Sequence, residues 1–252
     1  DEPAAFWSAV FDFAGVIADR GPGPVLRDGE RMPGATWFAG TRLNFAENLL
    51  RGTGPGPALI ARDERGRRKE MSWDQLRAEV ARVADGLQAA GIVAGDRVAG
   101  FMPNLPEAIV AMLATASLGA GIRGVLDRFG QIAPKVLFTA DGYCYGGKTL
   151  DSIERIAGIL ASLPSVTCVV VVANVDPRPD LARLPAARHY EEIGGPEATL
   201  RFERLPFDHP LYILYSSGTT GVPKCIVHGA GGTLLQHLKE HQLHSDVHPG
   251  DR

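Results

Sequence analysis

Residues 211–228 read Leu211-Tyr-Ile-Leu-Tyr-Ser-Ser-Gly-Thr-Thr-Gly-Val-Pro-Lys-Cys-Ile-Val-His228, two apolar runs on either side of a loop rich in hydroxyl groups and glycine. The first run, Leu211–Tyr215, is aliphatic or aromatic throughout, which predicts a strand buried on both faces. The second run, Cys225–His228, predicts the returning strand of a hairpin. The sequence therefore predicts that a sheet holds this loop at both ends.

The loop between these strands carries the groups that bind phosphate. Hydroxyl donors, turns that expose backbone N–H groups, and one cation are supplied by Ser216, Ser217, Gly218, Thr219, Thr220, Gly221 and Lys224. A Walker A loop is excluded, because it requires Gly-x-x-x-x-Gly-Lys-Ser/Thr, whereas Lys224 here follows Pro223. The alternative is a Ser/Thr/Gly-rich surface turn that ends in a lysine.

In its order of residues, Ser216–Lys224 resembles the signature loop of the adenylate-forming superfamily, which includes acyl-CoA synthetases, luciferases and peptide-synthetase adenylation domains. The resemblance implies an α/β fold, with a parallel sheet flanked by helices, that forms part of the large amino-terminal domain of such an enzyme. It also implies a set of contacts to the β- and γ-phosphates of ATP, made by Ser217, Thr219, Thr220 and Gly221 with added charge from Lys224. These groups would stabilise the departing pyrophosphate.

Further segments extend the resemblance over nearly the whole chain. The segments similar to the first characteristic stretches of acyl-CoA synthetases are Gly95–Val98, Pro103–Glu107 and Ala114–Ala120. Within that family the similarity is greatest to the acetoacetyl-CoA synthetases, and it is carried by Met32–Leu50, Leu126–Gly130, Thr139–Tyr143 and His237–Arg252. The implied reaction joins acetoacetate to CoA through an acyl-adenylate, with ATP as co-substrate and Mg²⁺ as the accompanying ion. The alternatives are another short acid such as acetate or propionate, a catalytically incomplete nucleotide-binding module, or an interaction domain.

The segment Gly146-Gly147-Lys148 lies where related acetyl-CoA synthetases carry a basic pair that binds the CoA nucleotide. Tyr145 stands in place of one member of that pair. The resemblance therefore implies only Gly147 and Lys148 as CoA contacts. The alternative is that Lys148 belongs to a surface loop without a ligand.

Two departures from the family limit what this chain contains. The sequence passes directly from Ala120 to Gly121, where family members have several additional residues. The family's acyl pocket, its adenine- and ribose-binding motifs and its small carboxy-terminal domain correspond to sequence beyond Arg252. We therefore assign no catalytic residue within the chain, and we expect the 252 residues alone not to form an acyl-adenylate.

The composition is that of an ordinary globular protein, with 45% hydrophobic and 22% charged residues. A net charge of −3 gives no support to nucleic-acid binding or to an anionic membrane surface, so the predicted partners are small molecules. The three cysteines are far apart and form no Cys-x-x-Cys pair, so neither a disulfide framework nor a cysteine zinc site is predicted. No long apolar run or amino-terminal signal segment is present, and we expect a cytoplasmic protein. The sequence does not indicate an oligomeric state.

The chain divides into three parts by pattern. Residues 1–55, irregular and dotted with aromatic residues, are predicted to wrap a core made elsewhere and to end in a short helix from about Leu43. Residues 56–205 are predicted to form an α/β subdomain that ends in an irregular connector, and residues 206–252 to begin a second α/β subdomain that carries the loop. Strands and helices alternate in the middle part, which predicts a parallel sheet. The strands are Arg97–Phe101, Lys135–Thr139 and Cys168–Ala173, and the helices are Pro106–Leu118 and Leu150–Leu163.

Two patterns before the sheet predict local structure. Ser72 and Gln75 have the spacing of a capping box, and apolar residues follow at helical intervals as far as Gly91, which predicts an amphipathic helix. Five basic residues between positions 62 and 69 alternate with acidic ones around Gly66. This mixture favours a solvated hairpin tip over a phosphate site.

The histidines near the end of the chain suggest a competing site. His237, His241 and His244 stand at i, i+4 and i+7, with Asp246 and His248 nearby, so a zinc site is conceivable. Leucines share the same helix, and we favour packing and polar-face roles because ligand spacing alone is a weak signal. For His228, which ends the second strand, two roles remain open: a wall of the nucleotide site or a core histidine.

Overall fold

The computed structural model describes residues 2–124, 133–216, 224–248 and 251. Its α-helices are α1 (Pro3–Phe13), α2 (Phe45–Leu49), α3 (Trp73–Ala89), α4 (Pro106–Ser117), α5 (Ile153–Leu160) and α6 (Ala230–Lys239). Its strands are β1 (Ala18–Asp19), β2 (Leu26–Arg27), β3 (Thr36–Trp37), β4 (Arg42–Leu43), β5 (Pro57–Arg62), β6 (Arg68–Ser72), β7 (Arg97–Phe101), β8 (Gly121–Gly124), β9 (Val136–Ala140), β10 (Gly142–Tyr145), β11 (Lys148–Asp151), β12 (Cys168–Val172), β13 (Ala187–His189), β14 (Leu205–Pro206), β15 (Pro210–Ser216) and β16 (Lys224–Gly229). A 3₁₀ helix covers Tyr190–Glu192, and a π-helical turn covers Glu240–His244. None of the helices in the described ranges combines the length and the apolar composition needed to cross a membrane.

A seven-stranded sheet in the order β13-β12-β9-β7-β8-β15-β16 organises the chain. Neighbouring strands are parallel except β15 and β16, which form an antiparallel hairpin at one edge. Parallel neighbours require crossover connections, and these place helices against the sheet. The predicted α/β fold, a parallel sheet flanked by helices, is confirmed.

Helices cover the middle of the sheet on both faces. On one face α3 and α4 pack over Val136 and Phe138 of β9, and on the other face α5 packs over Leu137. All five residues of β9 are buried as a result. The core therefore lies around β12, β9 and β7, while β16 forms an edge of the sheet.

The capping box predicted for α3 is present. The backbone N–H of Gln75 donates to Ser72 Oγ, and the backbone N–H of Ser72 donates to Gln75 Oε1 at 2.8 Å. Gly91 follows the helix with φ of 78°, a left-handed conformation that ends a helix at little cost in glycine. The predicted hairpin tip before α3 is also confirmed, because β5 and β6 pair on either side of Gly66.

The first 55 residues contain more regular structure than predicted. Pro3 begins the 11-residue helix α1, in which its missing N–H costs nothing. Phe11 of this helix stacks on Phe38, which in turn stacks on Phe207. The aromatic spacing serves these separate partners, so it gave no recognisable helical pattern. The short helix expected near Leu43 is present as α2.

Two predictions in the middle of the chain were wrong. The helix expected over Leu150–Leu163 begins only at Ile153, because β11 pairs with β10 instead. A Gly-Gly pair between two short runs is a hairpin signal that could have revealed this. The connector expected over residues 174–205 includes β13, which adds a parallel strand to the sheet beside β12. Three residues are too few to give a strand pattern by sequence alone.

The strand expected at Leu211–Tyr215 is confirmed as β15, but its predicted burial on both faces is wrong. Leu211 and Ile213 are buried, whereas the Leu214 side chain is 52% exposed. An apolar run predicted a central strand, but β15 lies next to the edge of the sheet. β15, from the predicted second subdomain, lies in the same sheet as β7 and β9 of the first. The subdomain boundary at residue 205 stays a prediction.

Candidate functional site

The predicted phosphate loop leaves the sheet between β15 and β16. Ser216 ends β15 and pairs with Lys224, which begins β16, so the hairpin holds the loop at both ends as expected. Lys224 is exposed. The side chain of Ser216 and the remaining predicted phosphate ligands lie outside the described residues; those ligands are Ser217, Gly218, Thr219, Thr220 and Gly221. Their contacts with phosphate stay predictions.

The position of this hairpin is informative, because β7, β8, β9, β12 and β15 all run parallel. Their carboxyl ends therefore meet at one edge of the sheet, which is where ligands bind in open α/β sheets. The loop 217–223 follows the carboxyl end of β15, and residues 125–132 follow that of its parallel neighbour β8. The loop thus begins at the edge where a nucleotide site is expected in such a sheet.

The second candidate site, at Gly147 and Lys148, lies on the β10–β11 hairpin, which follows β9 at the same edge. Gly146 and Gly147 have φ of 57° and 74°, as a two-residue type I′ turn requires. Lys148 is exposed at the start of β11 and pairs with Tyr145. The turn therefore presents a cation to solvent on a short, well-defined hairpin.

Asp141 fixes the start of this hairpin, a role that sequence reasoning missed. Its buried carboxylate accepts hydrogen bonds from the backbone N–H groups of Asn174, Val175 and Asp176 at 2.7–3.2 Å. Its carbonyl oxygen accepts one from the N–H of Ser152 at 2.8 Å. An ionised carboxylate is an acceptor only, so a set of N–H donors suits it. The nearest of the three donors is 33 residues away, which leaves no local pattern to detect.

The histidines of α6 and the following turn were the competing site. Within the described part of the chain, no three His, Cys, Asp or Glu side chains are arranged to hold a metal ion. His244 lies in the π-helical turn, where the α-helical spacing no longer applies, and the rings of His237 and His241 are 6.4 Å apart. Burial lowers the pKa of His237, and the nearby His241 and His228 lower it further.

His228 lies at the other end of β16 from the loop. It is half-buried and pairs with Tyr212, four residues along the strand from Lys224. At 3.3 Å per residue this is roughly 13 Å. His228 therefore belongs with His237 of α6 rather than with the ends of the loop.

Comparison with known proteins agrees with this architecture. A family model described as "AMP-binding enzyme" matches residues 50–252. The chain therefore belongs to the AMP-binding enzyme family.

Particular relatives narrow the comparison. The chain is 52% identical to the acetoacetyl-coenzyme A synthetase of Rhizobium meliloti (strain 1021), over 100% of this chain and 40% of that protein. It is 45% identical to the malonamoyl-CoA synthetase of Penicillium aethiopicum, over 98% of this chain and 38% of that protein. It superposes on the acetoacetyl-CoA synthetase from Streptomyces lividans with a TM-score of 0.92 and 42% identity, over 99% of this chain and 40% of that one. The chain thus spans about 40% of the length of the curated relatives it matches.

Proposed function

We propose that this chain is the phosphate-binding part of an ATP-dependent acid–thiol ligase that forms acetoacetyl-CoA from acetoacetate, ATP and CoA. Membership of the AMP-binding enzyme family and the similarity to acetoacetyl-CoA synthetases support this function. The observation that carries it is the hairpin pairing of Ser216 with Lys224 at the carboxyl edge of the parallel sheet.

In the proposed reaction the acetoacetate carboxylate attacks the α-phosphate of ATP, which releases pyrophosphate, and the CoA thiol then displaces AMP. The loop would bind the β- and γ-phosphates through hydroxyl and N–H donors at Ser217, Thr219, Thr220 and Gly221. Lys224, exposed at the end of the loop, would add positive charge where negative charge gathers on the departing pyrophosphate. Mg²⁺ would accompany ATP and neutralise part of the phosphate charge.

We further propose that Gly147 and Lys148 contact the CoA nucleotide. Lys148 is exposed to solvent at the same edge of the sheet as the loop. It lies on a hairpin whose start is held by the hydrogen bonds of Asp141. A lysine is a suitable point charge for a phosphate. The proposal is limited to this one cation, because Tyr145 occupies the other position.

A close alternative concerns the acid. The malonamoyl-CoA synthetase relative is 45% identical, whereas the acetoacetyl-CoA synthetase of Rattus norvegicus is 40% identical. Overall identity therefore does not separate the two substrates. Acetoacetate and malonamate are both short carboxylates with a second carbonyl two carbons away, and we propose acids of this class ahead of acetate or propionate. Since Cys144 and Cys168 are free thiols, we also propose a reducing, cytoplasmic setting.

The test is exchange of labelled pyrophosphate into ATP by the full-length protein, with acetoacetate, malonamate, acetate and propionate in turn. We expect exchange with acetoacetate, and a decrease of about tenfold to a hundredfold in Lys224→Ala, because one charged contact to the leaving group is removed. Lys148→Ala is the matched control: it should keep the exchange rate and raise the KM for CoA in the complete reaction. Exchange that does not depend on an acid, or that Lys224→Ala leaves unchanged, would contradict the proposal.

A further inference from the structure

An open groove lies between β5 and the start of α4, and no residue of either candidate site lines it. It has a volume of about 300 Å³, and its walls are residues 59–62 on one side and residues 104–106, 108 and 109 on the other. Four consecutive residues of β5 line it and none of β6 does. The groove therefore runs along the outer edge of β5.

This edge of β5 has free backbone groups. β5 and β6 form a two-stranded sheet, so β5 has a partner on one side only. Among the described residues, no backbone hydrogen bond from outside the hairpin reaches residues 58–62. Every second residue of an edge strand directs its N–H and C=O outward, where another strand can pair with it. Pro57 and the bulge that follows it block the beginning of the edge, which leaves residues 59–62.

The groove is apolar in the middle and basic at one end. Ile60 and Ile109 face it with 51% and 39% of their surface exposed. Beyond Arg62 a second cavity of about 290 Å³ continues the groove. Four basic residues (Arg62, Arg67, Arg68 and Lys69) and two acidic ones (Asp63 and Glu107) line it, so basic residues are in excess. Residues 62–70 contain five basic and three acidic residues, in a chain whose net charge is −3. The positive charge is therefore a local feature of this hairpin.

Arg62 is the cation best placed to bind an external anion. Arg67 pairs with Asp63 at 2.6 Å and Lys69 with Glu107 at 2.5 Å. Arg62 is exposed and makes no ion pair within the described part of the chain. No carboxylate among the described residues is paired with the Arg62 guanidinium, which favours an acidic ligand at this end of the groove.

We propose that the groove binds an extended acidic peptide segment of a partner protein, added as a third strand to the β5–β6 hairpin. Main-chain hydrogen bonds to residues 59–62 would provide affinity. Ile60 and Arg62 are two residues apart and lie on the same face of β5, so an apolar and an acidic side chain two residues apart in the peptide would meet them, with the apolar one also packing on Ile109. Charge decides against a second copy of this chain. Antiparallel pairing of two β5 strands over residues 59–62 would set Arg62 opposite Leu59, which carries no negative charge, and parallel pairing would set Arg62 against itself.

The test uses a fluorescein-labelled hexapeptide amide of sequence Glu-Thr-Val-Thr-Glu-Thr, whose valine and glutamates lie on one face of an extended strand. It is titrated with the full-length protein and followed by anisotropy. We expect saturable binding that weakens about tenfold in Arg62→Glu and in Ile60→Lys. Both side chains are exposed, so neither change should affect folding. The matched controls, Arg183→Glu and Val93→Lys, alter exposed residues elsewhere and should bind as the parent does. A peptide with lysine in place of glutamate should not bind.

Strand addition is distinguished from simple charge attraction by N-methylating every second peptide nitrogen, in each of the two registers. Only one register faces β5, so one methylated peptide should lose binding and the other keep it. Hydrogen exchange at residues 59–62 should slow when the peptide binds. The proposal is overturned if no binding is found at millimolar peptide, if both methylated peptides bind equally, or if Arg62→Glu has no effect. The amides of residues 59–62 that bond to β6 are protected in either case. The proposal is also overturned if the outward-facing amides of this stretch are already protected in the free protein by another part of the chain or by a second copy.

Discussion

Strands β9 and β16 belong to the same sheet but have opposite environments. All five residues of β9 are buried, whereas the first four residues of β16 are exposed. β9 has strands on both sides and helices on both faces, while β16 has a strand on one side only. The difference shows that the two parts of the sheet have different roles. The middle strands stabilise the fold, whereas the edge hairpin holds the candidate loop without contributing much to the core.

The largest expected effect on the free energy of unfolding comes from replacing one apolar side chain in each of these two strands. Phe138→Ala in β9 should lower the free energy of unfolding by about 3–5 kcal/mol, because it leaves a cavity in a close-packed layer. Val227→Ala in β16, where the side chain is 56% exposed, should change it by about 0.5 kcal/mol or less. Urea unfolding with equal slopes measures both. Similar losses in the two variants would break the comparison.

A second test asks whether a buried polar side chain can matter nearly as much as an apolar one. The Asn44 side chain, 2% exposed, donates to the carbonyl oxygens of Ala116, Ser117 and Glu203 at 2.7–3.0 Å. Asn44→Ala would leave these groups without that donor, and we expect a loss of about 2–3 kcal/mol. The exposed Gln88→Ala is the control in the same urea experiment and should be nearly neutral. A loss below about 0.5 kcal/mol for Asn44→Ala would show that water replaces the amide.

The sequence identified what is local and missed what is distant. The α3 helix was predictable because Ser72 and Gln75 bind each other's backbone within one turn. The middle strands were predictable because burial on both faces leaves an unbroken apolar run, as in β12. The same reasoning failed for β15, where Leu214 is apolar yet exposed. Pattern alone does not distinguish a central strand from one beside an edge.

The candidate site divides in the same way. The hairpin that holds the loop between Ser216 and Lys224 was predictable because its two apolar runs and the glycine- and hydroxyl-rich loop are close together in sequence, while the phosphate contacts stay predictions. The role of Asp141 was not, because its donors come from a segment that folds back from beyond β12. The edge position of β5 was likewise not predictable, because it depends on whether a second strand pairs with β5, and the residues of β5 itself do not indicate this.

The smallest expected effect on stability concerns Asp96, in the loop before β7, which forms an ion pair with Lys135, the residue before β9. Burial raises the pKa of Asp96, but hydrogen bonds from Lys135 Nζ at 2.8 Å and from the N–H of Val93 at 3.0 Å outweigh it, so the pKa lies below its ordinary value. A lowered folded-state pKa means that the carboxylate stabilises the fold above its unfolded pKa of about 3.9, and that this contribution is lost as the pH falls through the folded value. Asp96→Asn should therefore be less stable by about 1 kcal/mol at pH 7, with the difference shrinking below about pH 4.

Urea unfolding of Asp96→Asn between pH 3 and pH 7 checks this. The exposed Glu64→Gln, which has no ion pair among the described residues, serves as the control and should follow the parent at every pH. A difference between Asp96→Asn and the parent that stays constant over the whole range would contradict the expected role of the carboxylate.

Arg204 shows how the order of synthesis constrains this fold. Its guanidinium binds Glu47 at 2.8 and 3.0 Å and Asp19 at 2.5 Å, across 157 and 185 residues of chain. Phe207 completes the aromatic stack with Phe38 from the same late segment. At about 5–20 residues per second, a ribosome needs roughly 8–30 s to make the 157 residues between Glu47 and Arg204. For that time Phe38 has Phe11 as a stacking partner but lacks Phe207, and Phe45 lacks Tyr212, so the nascent amino-terminal segment keeps part of its aromatic surface uncovered until the later segment is made.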